Sequence, residues 1–124
     1  MPVRLNHTIL AARDKAESAR FFTDIFALPP HEEAGPFAVV RLADDQLIQF
    51  AEPPVEIQMQ HHAFLVDDET FDHLLSRIAA LGLPHWADPQ KSCTGINTNH
   101  GGRGVYFHDP AGHALETITE PYAD

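Results

Sequence analysis

Leu5-Asn6-His7-Thr8-Ile9-Leu10-Ala11-Ala12-Arg13-Asp14, near the start of the chain, returns as Met59-Gln60-His61-His62-Ala63-Phe64-Leu65-Val66-Asp67-Asp68. In each stretch a β-like run opens beside a histidine and closes on an acidic residue suited to cap a helix, and an offset of 54 carries His7 onto His61. Helical period follows both times. From Ala16 to Leu28, Ala19, Phe22 and Phe26 recur at spacings of three and four, flanked by Phe21, Ile25 and Leu28, and Asp14 with Glu17 forms a capping box. From Glu69 to Leu81, Phe71, Leu74, Leu75, Ile78 and Leu81 repeat the pattern, with Asp67 or Asp68 as N-cap and Gly82 placed to end the helix. The two helices match within one residue, Ile25 on Ile78.

Short β-like runs surround these helices: Val3 to Ala12, Phe37 to Ala43, Gln46 to Ala51, His61 to Val66, Gly104 to His108 and His113 to Thr119. Asp44-Asp45 and Asp109-Pro110-Ala111-Gly112 read as hairpin turns, because Pro and Gly supply the φ values that tight turns need. Segment 52–60, with Pro53-Pro54, reads as a connector. The pattern predicts an α+β fold: two tandem βαβββ modules, about 1–54 and 55–124, forming a curved mixed sheet with helices on its outer face. Half of 124 residues is too few for an independent core, so the copies are expected to pack together, or with copies from a second chain, as one domain over 1–124.

At 124 residues, 44% hydrophobic and 21% charged, the composition is that of one globular domain. Eight Lys and Arg against eighteen Asp and Glu give a net charge of −10, which opposes phosphate backbones and anionic membranes, so nucleic acid is not an expected partner. No stretch approaches the roughly 18 apolar residues of a membrane span. Arg4, His7, Arg13 and Asp14 break up any signal-peptide core. A single cysteine, Cys93, excludes an intrachain disulfide framework and fits a reducing compartment. The expected location is the cytoplasm.

Strand alternation places His7, Ile9 and Ala11 on one face, and His61, Ala63 and Leu65 on another, with Phe64 and Val66 turned towards a helix. Leu47, Gln49 and Ala51 share a face, as do Ala114, Glu116 and Ile118. Superposing the repeats sets Gln49 opposite Glu116 and His7 opposite His61, so a pseudo-twofold gathers two imidazoles, a carboxylate and an amide. Two histidines and a carboxylate leave open positions on a divalent metal such as zinc, nickel, iron, manganese or cobalt, and Gln49 offers a weak fourth contact. Taken singly, a strand histidine is more often a satisfied, partly buried residue, and Glu116 an ordinary ion-pair partner. Their relation through the repeat favours the ligand reading. Ile9, Ala11, Ala63, Leu65 and Ile118 would make part of such a pocket apolar and fit for a small organic molecule.

At these residues the chain resembles the vicinal oxygen chelate superfamily, which includes glyoxalase I, fosfomycin-resistance thiol transferases, extradiol ring-cleaving dioxygenases and bleomycin-binding resistance proteins. The resemblance rests on Leu5-Asn6-His7, on Gln60-His61-His62-Ala63-Phe64-Leu65-Val66, and most specifically on Gly104-Val105-Tyr106-Phe107-His108-Asp109-Pro110-Ala111-Gly112-His113-Ala114-Leu115-Glu116. It implies His7, His61 and Glu116 as metal ligands. It further implies a homodimer in which His7 of one chain reaches the site built by His61 and Glu116 of the other. Glyoxalase-type members commonly have Glu where this chain has Gln49, a departure that weakens a glyoxalase reading.

Two functions follow as expectations. The first is a metal-dependent enzyme that chelates a small substrate through two neighbouring oxygens, with glyoxalase-, thiol-transferase- or dioxygenase-like chemistry and with Glu116, Gln49 and Tyr106 as its catalytic candidates. The alternative is a metal-free dimeric protein that sequesters a small molecule such as a cationic antibiotic, which an acidic groove would attract. An intact His-His-Glu set favours the enzyme; a regulatory sensor that kept the set by descent is a third reading. His113 and Asp109 read as structural turn residues, and His62 as packing against the helix-covered face or supporting its neighbour. Tyr106 offers its hydroxyl to a substrate or to a buried hydrogen bond. Lys91 to Arg103 reads as a mobile loop near the pocket mouth, carrying an inert Cys93.

Overall fold

The computed structural model describes residues 1–122 and divides the chain between Gln58 and Met59 into two compact units. The first contains β1 (His7–Ala11), α1 (Lys15–Ile25), β2 (Glu32–Ala34), β3 (Phe37–Arg41) and β4 (Leu47–Ala51), in the sheet order β1-β4-β3-β2. β1 runs parallel to β4, and β3 pairs antiparallel with both β4 and β2. The Asp14 carboxylate accepts the Glu17 backbone N–H and so starts α1. Pro29-Pro30 closes off any continuation, since proline brings no N–H to a helix. The apolar stripe Ala19, Phe22 and Ile25 is buried against β3 and β4, where Ala38, Val40, Ile48 and Phe50 are buried as well. Phe22 centres this core, its ring centroid 5.2 Å from that of Phe50 and 6.0 Å from that of Phe26. Asp44 and Asp45 turn the chain between β3 and β4 with φ of 58° and 59°, a region that aspartate tolerates better than most side chains.

The second unit contains β5 (His61–Leu65), α2 (Asp68–Leu81), β6 (Gly104–His108) and β7 (Ala114–Ile118), in the order β5-β7-β6. β5 is parallel to β7 and β6 is antiparallel to it. The Asp67 carboxylate accepts the Thr70 N–H at 2.8 Å at the start of α2, and Gly82 ends the helix at φ +64°, where a side chain would be strained. Phe71, Leu74 and Ile78 are its buried stripe. Arg103, just before β6, ties the helix down by meeting Asp68 at 3.0 Å and Asp72 at 2.8 Å with its guanidinium over the Phe71 ring.

Two details depart from the sequence pattern. β2 completes the three strands that the βαβββ pattern calls for after α1, but its residues carry no mark in the sequence, because Glu32-Glu33-Ala34 is exposed throughout and three residues at a sheet edge show no alternating apolar signal. In the second unit the corresponding place is taken by isolated bridges: Trp86 pairs with both Tyr106 and Thr94, and Asn97 with Gly104. The sheet registers repeat faithfully nonetheless. Ile9 stands beside Gln49 and Gln49 beside Val39, while Ala63 stands beside Glu116 and Glu116 beside Tyr106. Gln49 and Glu116 therefore occupy equivalent positions in the two sheets.

Candidate functional site

β5 and β7 build the site in the second unit. His61, Ala63 and Leu65 alternate as exposed residues with half-buried His62 and Phe64, so one side chain of each adjacent pair faces outward. On β7, Leu115 and Thr117 are buried and Glu116 points to the same side as Ala63. His61 Nε2 lies 3.2 Å from Glu116 Oε1. The imidazole is about half exposed, whereas the carboxylate side chain retains only 6% exposure, so a buried anion is presented to solvent through a histidine. That pairing gives a buried carboxyl group the hydrogen-bond partner whose lack would be costly.

Tyr106, the antiparallel partner of Glu116, sits on the other side of the carboxylate and stacks near His61, with ring centroids 6.3 Å apart. Burial, followed by hydrogen bonds with Tyr122 and Glu116, pushes the Tyr106 phenol well above its ordinary value and keeps it protonated. Tyr122 donates its hydroxyl to Glu116 Oε2 and is itself pushed upward chiefly by that bond. Sequence reading missed Tyr122. It lies beyond the last strand, where neither period nor motif marks a site residue. Trp86 was missed too; with His61, Lys91, Tyr106, His108 and Pro89 it lines a shallow, open depression. The Lys91 ammonium stands 5.3 Å from the Trp86 ring centroid.

Residues 91–103, read as a loop from their glycines and asparagines, carry a set of local hydrogen bonds with the residues just before them. Asp88 accepts the backbone N–H groups of Ser92 and Cys93, the Ala87 N–H reaches the Cys93 carbonyl at 2.7 Å, and Asn97 Nδ2 donates to the Ala87 carbonyl at 2.8 Å. Local side-chain acceptors thus do what strand ladders do elsewhere. Cys93 itself is exposed. His113 is fully buried, its Nδ1 accepting the Gln60 N–H at 3.1 Å, and Asp109 accepts the N–H groups of Ala111 and His113, so both shape the β6–β7 turn. His62 is paired with Gln60 Oε1 at 3.0 Å; burial, then the neighbouring His113 and His61, push it below its ordinary value.

The structure thus brings together His61, Glu116 and Tyr106. His7 and Gln49 belong to the first unit, where His7 is exposed, with Nδ1 2.7 Å from Asn6 Oδ1, and Gln49 is half-buried. Among the described residues, no three His, Cys, Asp or Glu side chains are grouped closely enough to hold a metal ion. The donor chemistry of the pair suits one all the same: an accessible imidazole nitrogen facing a carboxylate oxygen supplies two of the three ligands of the two-histidine, one-carboxylate set.

Residues 4–117 match the family model for the Glyoxalase/Bleomycin resistance protein/Dioxygenase superfamily. The chain is 30% identical over 119 residues to a glutathione transferase FosA from Serratia marcescens, covering 90% of this chain and 77% of the relative. Among solved structures it resembles the oxidase ChaP-H1, with 48% identity, a TM-score of 0.95, and coverage of 99% of this chain and 100% of that one. The oxidase ChaP-H2 is similar at 46% identity and the same TM-score, covering 100% and 98%. The fosfomycin resistance protein FosX from Mesorhizobium loti, at 24% identity and a TM-score of 0.70 over 98% of this chain and 95% of its own, shares the fold.

Proposed function

The chain belongs to the glyoxalase/bleomycin resistance protein/dioxygenase superfamily, and from that premise we propose that it is a metal-dependent oxidase of a small organic molecule that offers two neighbouring oxygen atoms. The observation that carries the reading is the contact of His61 Nε2 with Glu116 Oε1 at 3.2 Å beside a protonated Tyr106. Similarity to two oxidases over nearly the whole chain favours oxidation, with dioxygen as electron acceptor, over thiol transfer, isomerisation or sequestration.

His61 and Glu116 hold the metal, with His7 supplied by a second copy of the chain in a homodimer whose two sites are equivalent. A divalent ion there supplies Lewis acidity to the substrate oxygens. Glu116 lowers the charge of the site, and its burial keeps water from competing for the carboxylate. Tyr106 keeps its proton and, turning its hydroxyl from Tyr122 and Glu116 when substrate binds, donates a hydrogen bond to a substrate oxygen as negative charge develops on it. Gln49 brings an amide, a weaker donor than the carboxylate in the equivalent place. Residues 1–124 act as one domain of two modules. No helix among the described residues is long and apolar enough to cross a membrane, and an exposed, unpaired Cys93 suits a reducing cytoplasm.

The test is metal analysis of tag-free protein by inductively coupled plasma mass spectrometry, joined to oxygen-electrode assays with catechols and α-hydroxyketones. We expect one divalent ion per chain and oxygen uptake that a chelator stops. Metal-free protein that consumes no oxygen with any member of the panel would overturn the reading.

A further inference from the structure

Glu116, which also meets the Tyr106 hydroxyl, divides its two oxygens between His61 and Tyr122. Oε1 faces His61 Nε2 at 3.2 Å, while Oε2 accepts the hydroxyl of Tyr122. We infer that Tyr122 is a positioning residue for the metal site: it fixes the Glu116 carboxylate through Oε2 and leaves Oε1 as the single oxygen presented to the metal. This inference rests on the metal-dependent reading given above.

The chain places Tyr122 there by a docked strap rather than by chance proximity. After β7 the backbone is held to the start of β6 on both sides, the Thr119 N–H reaching the Arg103 carbonyl at 3.0 Å and the Arg103 N–H reaching Thr119 Oγ1 at 2.9 Å. Gly102 makes that approach possible. A Cβ at this position would stand 2.5 Å from Thr119 Oγ1 and 2.7 Å from Glu120 Cγ, closer than such atoms come without displacement. Pro121 then restricts the backbone just before Tyr122. The Tyr122 ring stacks on His100 at 4.2 Å between centroids and 27° between planes. Ring and strap together orient a hydroxyl that is otherwise on a half-exposed side chain.

The physical consequence concerns how the carboxylate binds. A free carboxylate turns about its terminal torsion and grips a cation with either oxygen or both. With Oε2 engaged by a phenol hydroxyl, that rotation is restricted, and Glu116 occupies one coordination position instead of two. The position so released stays open to a substrate that needs two neighbouring sites for its two oxygens.

Tyr122→Phe removes the hydroxyl and keeps the ring on His100. Titration of the tag-free, full-length wild type and variant with cobalt(II), against a competing chelator, measures affinity, and the visible absorption of bound cobalt(II) reports its coordination. The variant is expected to bind cobalt(II) about tenfold or more weakly, with a changed visible band and an unchanged thermal melting curve. Equal affinity and an identical band in the two proteins would overturn the role of Tyr122 while leaving the metal reading intact. A wild type that takes up no cobalt(II) would instead overturn the metal reading, and this inference with it.

Discussion

His61 and Glu116 meet diagonally across two parallel strands. The backbone partner of Glu116 is Ala63 and that of His61 is Ala114, yet the imidazole and carboxylate approach to 3.2 Å. The register brings two residues of one face within reach of each other's long side chains, while the next residue, His62, lies on the opposite face and meets Gln60. Adjacent histidines thereby acquire separate chemistry.

His61→Ala is expected to abolish binding of a divalent metal, and His62→Ala to retain it. Its loss removes one partner of the buried Glu116 carboxyl while the Tyr122 hydroxyl stays, so the His61 variant should still fold, at a cost of about 1–3 kcal/mol in stability. Calorimetric metal titration of both variants checks the assignment; metal kept by the His61 variant and lost by the His62 variant would sink it.

Gln49→Ala is expected to leave metal stoichiometry unchanged, because the amide at the position equivalent to Glu116 carries no charge to neutralise the ion. Elemental analysis of the purified variant gives the answer. Metal-free Gln49→Ala protein would make Gln49 a ligand.

A homodimer is expected in solution. Ile9 on β1 and Leu65 on β5 are more than half exposed on the same strand faces as His7 and His61, which leaves apolar surface for a partner to cover. Light scattering at micromolar concentration should give twice the 13.8 kDa of one chain. A mass of one chain counts against shared sites.

Burial raises the Asp109 carboxyl above its ordinary 3.8, outweighing the backbone N–H groups and His113, which favour the ionised form. The folded chain therefore holds this proton more tightly than the unfolded chain. Ionising it costs stability, a cost absent below 3.8 and complete once the pH exceeds the raised folded value. Asp109→Asn keeps an acceptor for the N–H groups of Ala111 and His113 and carries no charge. Its stability relative to wild type should rise as pH increases through the acid range, read by urea denaturation at several pH values. A relative stability that falls over that range would refute the assignment.

Phe22→Ala should destabilise the first unit by ~3–5 kcal/mol, since a fully buried ring between Phe26 and Phe50 leaves a cavity that rigid neighbours cannot fill. Denaturant unfolding measures it. A loss below about 1 kcal/mol would mean that the core around α1 collapses far more readily than close-packed interiors do.

Much of this architecture is legible in the sequence because it depends on local period and local chemistry. The stripes Ala19-Phe22 and Phe71-Leu74-Ile78, the caps Asp14, Asp67 and Gly82, and the Asp109–Gly112 turn each report forces acting within a few residues. The repeat of His7 in His61 likewise foretells that Gln49 and Glu116 are equivalent, since strand alternation has a fixed period. Tertiary structure alone decided the rest. β2 carries no apolar pattern, because a three-residue edge strand is held by backbone hydrogen bonds that any side chain permits. The loop around Asp88 is ordered by carboxylate-to-amide bonds in a segment whose composition suggests mobility. Tyr122 reaches Glu116 from beyond β7, where Gly102 leaves room for the side chains of Thr119 and Glu120 and the Tyr122 ring stacks on His100. Such contacts join residues with no periodic relation, so only the folded chain's geometry brings them together.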